Sequence, residues 1–116
     1  MIVHLVLFRP RADADAEGLI AAFENALTGI PLIRRARVGT RITIGREYEQ
    51  LMAVDYTHAA VLEFDDAASL EAYLEHPEHR ELGRRLFESV EAVLVYDFDV
   101  SEGAEGLAAL AGRDGA

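Results

Sequence analysis

The chain has 116 residues, 51% of them apolar, with 21 acidic against 11 basic side chains and a formal charge of -10. That length suits one domain with one core, and the negative field repels phosphate backbones and anionic lipid surfaces, which argues against nucleic acid or membrane partners. With no cysteine there is no disulfide frame, thiolate metal site or thiol nucleophile, so the expected setting is a reducing cytoplasm.

Ile2 to Phe8 is a short apolar run closed by Arg9-Pro10-Arg11. Its length and β-branched content predict a strand with Ile2, His4, Val6 and Phe8 on one face and Val3, Leu5 and Leu7 on the other. The run is too short to cross a bilayer and lacks the basic flank and cleavage site of a signal peptide. Asp13 or Asp15 then caps a helix whose Leu19, Ile20, Phe23, Ala26 and Leu27 form an amphipathic face, ended by Gly29-Ile30-Pro31.

Residues 33 to 44, IRRARVGTRITI, alternate basic with apolar or small side chains and predict a half-exposed strand. The arginines Arg34, Arg35, Arg37 and Arg41 suit a solvated strand edge, with attraction of a carboxylate ligand as the alternative. GREYEQLMAVD reads as a loop, and Tyr56 to Phe64 as a third strand carrying His58, Ala60, Leu62 and Phe64 on one side. Asp65 or Asp66 caps the next helix, which buries Leu70, Tyr73 and Leu74, breaks near Pro77 and resumes with Leu82, Leu86, Phe87 and Val90.

The last strand spans about Ala92 to Val100, alternating Val93, Val95 and Asp97 against Leu94, Tyr96 and Phe98. Residues 1–100 thus form the domain, and 101–116 (SEGAEGLAALAGRDGA) read as a flexible C-terminal tail.

Strand, helix, strand, strand, helix, strand is the order of the ferredoxin-like βαββαβ plait, an α+β fold with a four-stranded antiparallel sheet and helices on one face. The first and third strands are expected to be central, adjacent and parallel, which would bring His4 and His58 to one sheet end. The uncovered face, bearing Val3, Leu5, Leu7, Leu94, Tyr96 and Phe98, predicts a two-fold homodimer packed sheet against sheet.

YLEHPEHRELG, at residues 73–83, concentrates chemistry: it holds Tyr73 and, around a helix breaker, His76 and His79, two of the chain's four histidines. Alone, Tyr73 reads as a core residue, and His79 suits a satisfied first-turn residue as well as a base. His76 reads as a cap. His4 and His58 suit buried structural groups hydrogen-bonded to one another or to Tyr73, and Asp97 an ordinary strand residue. Convergence of His4, His58 and His79 on zinc lacks a recognised ligand spacing, so no metal is expected. No nucleophile elbow, Walker loop or dinucleotide fingerprint is present, which removes the corresponding hydrolase, nucleotide and hydride-transfer readings.

MIVHLVLFRPR, YTHAAVLEFDD, LEAYLEHPEH and VYDFDV together resemble the stress-responsive A/B barrel domain family, over nearly all of the first 100 residues. The resemblance implies a ferredoxin-like subunit pairing through its sheet into a dimeric α+β barrel. A plant cyclase of that family closes a linear polyketide without a cofactor in a pocket between sheet and helices. By that likeness Tyr73 and His79 would be catalytic, with Asp97 orienting the His79 imidazole. His4 and His58 would join Leu19, Ile20, Phe23, Leu62, Leu74, Leu82, Val93 and Val95 in holding the substrate.

Aldol cyclisation asks for a neutral imidazole to take a carbon-bound proton and a hydroxyl to hold the carbonyl oxygen as it gains charge. The residues therefore support three readings. The first is a small apolar oxygenated ligand with cofactor-free cyclase or lyase chemistry, the second a non-enzymatic structural or stress-related homodimer, and the third a cofactor-independent monooxygenase.

Overall fold

The computed structural model describes residues 1–111. Nine residues, Ile2–Pro10, form β1, and the chain then turns into α1, Ala16–Gly29. β2 covers Arg35–Thr40, α2 Glu47–Leu51 and β3 His58–Phe64. Two consecutive helices follow, α3 at Ala67–Glu75 and α4 at Pro77–Ser89, before β4 at Val90–Asp99. Beyond the last strand, α5 (Gly103–Leu107) and a 3-10 turn (Ala108–Ala111) give helical structure to residues read from composition as a flexible tail, while 112–116 lie outside the described residues.

The strand order is β2-β3-β1-β4, and every neighbouring pair is antiparallel. This is the ferredoxin-like plait, and it corrects the expectation that β1 and β3 run parallel. Each right-handed βαβ half places its two own strands parallel with a strand of the other half between them, so adjacent strands oppose. His4 consequently faces Leu62 across the pair, and His58 faces Phe8. His58 stands four residues further along, about 13 Å at the usual strand rise.

Capping follows the acidic residues before each helix. Asp15 accepts from the Gly18 N–H at 3.0 Å and Asp66 from the Ser69 N–H at 2.8 Å, each filling a donor that the first turn leaves unpaired. The break in YLEHPEHRELG falls at His76, which ends α3 and begins α4 with extended backbone. Its Nδ1 accepts from the Glu78 N–H at 3.1 Å, and Pro77 takes the first helical position, where a missing N–H costs nothing.

β2 is shorter than its alternation predicts, and the supposed loop after it contains α2. The chain leaves the sheet because Glu49 gathers the N–H groups of Ile44, Gly45 and Arg46 at 2.7, 3.0 and 2.9 Å around its carboxylate, with Gly45 at φ 82. Those hydrogen bonds, that of Ile44 foremost, hold the Glu49 carboxyl below its usual range. β4, conversely, begins two residues early, so Val90 is a strand residue rather than the end of the helical face.

α1 and α4 pack against each other, and Val6, Phe8, Leu19, Ala22, Ala26, Ala60, Leu62, Phe64, Leu70, Tyr73, Leu82 and Leu86 close the core between helices and sheet. The opposite face carries Val3, Leu5 and Leu7 across from Phe98, Tyr96 and Leu94, as the strand alternation predicts. No described helix is long and apolar enough to cross a membrane.

Candidate functional site

Between the helices and the sheet lies a pocket of about 280 Å³. Its wall carries three polar side chains, His4, Tyr73 and His79, and is otherwise apolar, with Phe23, Leu62, Leu74, Leu82 and Val95 among the lining. β1 supplies His4, the C-terminal half of α3 supplies Tyr73, and the restart after His76 puts His79 in the first turn of α4. The helix break thus turns Tyr73 and His79 toward one another, with ring centroids 4.6 Å apart. His4 meets Tyr73 edge-on at 5.8 Å from the other side.

Each imidazole has its own orienting partner. His4 is 5% exposed and its Nδ1 lies 2.5 Å from Asp97 Oδ1. The two residues are direct cross-strand partners on β1 and β4, which is why the contact forms. A carboxylate only accepts, so Nδ1 of His4 carries a proton and donates it to Asp97, and Nε2 is the ring nitrogen that Asp97 does not engage. His79 Nδ1 lies 3.0 Å from the Leu74 carbonyl oxygen, which by the same logic takes the Nδ1 proton and leaves His79 Nε2 as the basic nitrogen.

This corrects the expectation that Asp97 orients His79. The carboxylate serves His4, and a backbone carbonyl exposed at the end of α3 serves His79.

Burial sets the ionisation of the site. It pushes the His79 pKa down, with the nearby His4 adding to the effect against the Leu74 carbonyl, so the imidazole is neutral at pH 7. Burial also pushes the Tyr73 phenol up to about 12, which keeps it a donor. That hydroxyl forms no hydrogen bond with another described residue. A buried donor without a partner, facing a pocket, is available to an acceptor on a ligand.

These shifts predict how stability depends on pH. An unfolded histidine takes its proton near 6.5, above the folded value of His79, so the unfolded state binds more protons as pH falls below 6.5 and stability declines there. At the alkaline end the unfolded tyrosine ionises near 10 and folded Tyr73 near 12, so stability falls as pH rises between them. Urea unfolding from pH 7.5 to 5.5 should slope downward with acid, and His79→Gln should flatten the slope. An equal slope in that variant would assign it to another group.

Asp97 gives a second test. Asp97→Ala leaves the buried Nδ1–H of His4 without an acceptor and should cost about 1–3 kcal/mol in chemical denaturation, whereas Asp97→Asn, which keeps an acceptor oxygen, should cost less. Equal, negligible losses would mean that the pair contributes nothing to the fold.

Of the residues expected to hold a ligand, His4, Phe23, Leu62, Leu74, Leu82 and Val95 line the pocket. His58 does not, because the antiparallel register carries it away to stack on Phe8 with centroids 5.3 Å apart and to hydrogen bond with Thr57 Oγ1. Leu19 belongs to the core and Val93 packs against it. Ile20 is 56% exposed, since α1 buries the stripe Leu19, Ala22 and Ala26 and turns its neighbour outward.

Val6, Gly83, Leu86 and Phe87 also line the pocket and were not singled out. The available signal was the spacing of four that puts positions 79, 83 and 87 on one helical stripe. Arg34, Arg37 and Arg41 are paired with Asp65, Glu63 and Asp55, the arrangement of a solvated strand edge. Among the described residues no group of three or more His, Asp or Glu is placed to hold a metal ion.

A family model for the stress-responsive A/B barrel domain matches residues 2–100. The chain belongs to that family. A stress-response A/B barrel domain-containing protein of Arabidopsis thaliana is 21% identical over 98 residues, covering 84% of this chain and 85% of its own. Among solved structures, a dimeric ferredoxin-like protein from Jannaschia sp. superposes with a TM-score of 0.69 at 26% identity, over 85% of this chain and 98% of the other. A hydroxynitrile lyase from Passiflora edulis does so with a TM-score of 0.73 at 20% identity, over 88% and 94%. The family and the ferredoxin-like fold are those the sequence motifs indicate.

Proposed function

We propose that this stress-responsive A/B barrel domain protein binds a small, uncharged, carbonyl-bearing apolar molecule between its sheet and helices. The reading rests on the Tyr73 hydroxyl, which has no hydrogen-bond partner among the described residues and is buried in an apolar pocket beside neutral His79. The pocket is at the low end of the size range of ligand sites, and among the described residues no arginine lines it to balance a ligand carboxylate.

The same groups suit cofactor-free aldol-type chemistry of a lyase or cyclase. Nε2 of His79 takes the proton next to a carbonyl while the Tyr73 hydroxyl donates to the oxygen that becomes the enolate. The enolate carbon attacks a second carbonyl, and the proton held on His79 passes to the new alkoxide. His4, fixed by Asp97, flanks Tyr73. A hydroxynitrile lyase on the same fold supports only the view that this architecture accommodates carbonyl chemistry.

We further propose that two copies pair through the open sheet face. The dimeric ferredoxin-like proteins among the solved relatives favour this, as does the apolar character of that face. The working unit is then residues 1–100 in duplicate, and the cysteine-free chain suits a reducing cytoplasm.

Thermal unfolding with acetophenone and hexanophenone, against benzoic acid as the charged control, tests the binding reading. The ketones should raise Tm in proportion to the logarithm of concentration and the acid should not. No shift from any ketone would favour a structural dimer whose polar groups only satisfy the fold.

A further inference from the structure

The lining residues of the pocket differ sharply in exposure. Val6, Ala60, Leu62 and Tyr73 at its floor are buried, whereas Val95 is 41% and Phe87 62% exposed. The cavity therefore runs from a polar floor at Tyr73 and His4 to an apolar mouth between α4 and β4. Phe87 is an outward aromatic that the protein's own fold does not cover, at the place where a ligand's far end would emerge.

Gly83 stands on the same stripe of α4, one turn after His79 and one turn before Phe87. Glycine in a helix interior is unfavourable compared with alanine, and it usually persists because another chain passes too close for a side chain. That reason is absent here: a Cβ built on Gly83 would have nothing within 4 Å. Gly18 on α1 shows the opposite case, with Asp15 Oδ2 at 2.3 Å from the same construction.

What Gly83 borders is the open space of the pocket. We infer that Gly83 is a specificity-determining position, its missing side chain keeping open the mouth through which the apolar tail of a carbonyl-headed ligand extends past Phe87. This rests on the ligand-binding reading above and narrows it. The ligand has its carbonyl at Tyr73 and an unbranched or flat apolar tail, and tail length at the mouth is limited by residue 83.

Two variants separate the inference from a structural role. Gly83→Ala, in the ligand-free protein, should raise Tm by about 3–6 °C, because helix propensity improves where no clash exists. Gly83→Leu should lower the affinity for hexanophenone about tenfold or more while acetophenone, which ends short of the mouth, binds nearly as before. Xenon-129 NMR of the ligand-free forms reads the cavity without any ligand chemistry, since dry apolar cavities take up xenon. Its uptake should persist in the native chain and shrink in Gly83→Leu.

Failure of the two proposals looks different. If xenon enters the native chain and Gly83→Leu reduces its uptake while no ketone binds, the mouth at Gly83 stands and the carbonyl-ligand reading falls. If Gly83→Ala lowers Tm, or Gly83→Leu leaves both xenon uptake and the preference between the two ketones unchanged, the inference about Gly83 is overturned.

Discussion

Tyr73→Phe should weaken ketone binding severalfold to tenfold while leaving the fold as stable as the native chain or slightly more so. The two halves of that result have separate causes. A hydrogen bond to a bound carbonyl contributes about 0.5–1.5 kcal/mol net, and its loss appears in the ligand's dissociation constant. In the free protein the hydroxyl is buried without a described partner, so removing it deletes an unsatisfied polar group and no folding hydrogen bond. If the protein turns over a carbonyl substrate, the rate should fall further than the affinity, by about 10²–10³, because the donor matters most when the oxygen carries charge.

Tyr73→Ala supplies the contrast. The ring packs on Phe64 at 5.0 Å and on His79 at 4.6 Å between centroids, so truncation opens a cavity under α3 and α4 and should cost about 3–5 kcal/mol. Denaturant titrations of the three proteins, followed by ketone titrations of those that fold, give both numbers. A loss above about 1 kcal/mol for Tyr73→Phe would show that the hydroxyl holds the fold together, and the case for a ligand would lose its main support.

The plait was legible because its signals are local. The short apolar runs in IVHLVLF and HAAVLEF, the capping aspartates and the proline after His76 each specify an element without reference to distant residues. The partners of the imidazoles were less legible, because they depend on register. Asp97 reaches His4 through a pairing fixed by the whole antiparallel ladder, and a parallel β1–β3 pair would bring His58 to the sheet end of His4, from which the antiparallel register keeps it. The acceptor for His79 is a backbone carbonyl, available from any residue that ends a helix, so no side-chain motif announces it. Gly83 was silent for a related reason: its meaning lies in the space next to it.

The open sheet face carries the other large effect. Tyr96 and Phe98 are 55% and 48% exposed and lie side by side with Leu5 and Val3 across from them on β1. A monomer would leave that aromatic and aliphatic surface in water, whereas a second copy turned by a two-fold axis presents an identical surface to it. Tyr96→Glu places a charge in the middle of the proposed interface and, with Leu5→Glu, opposes like charges across the symmetry axis at every pairing. Each carboxylate would be desolvated without a partner, at a cost of several kcal/mol per dimer.

The double variant should therefore run as a monomer in sedimentation at micromolar concentration, where the native chain should run as a dimer. Both positions lie on the face away from the pocket, so ketone binding by a variant that still folds should survive in proportion to how far the site is complete within one subunit. If the double variant stays dimeric, the copies meet elsewhere and the sheet faces serve another contact. A variant that is monomeric, folded and still able to bind would place recognition entirely between the sheet and the helices of a single chain, and leave the dimer as the cover that the open face requires.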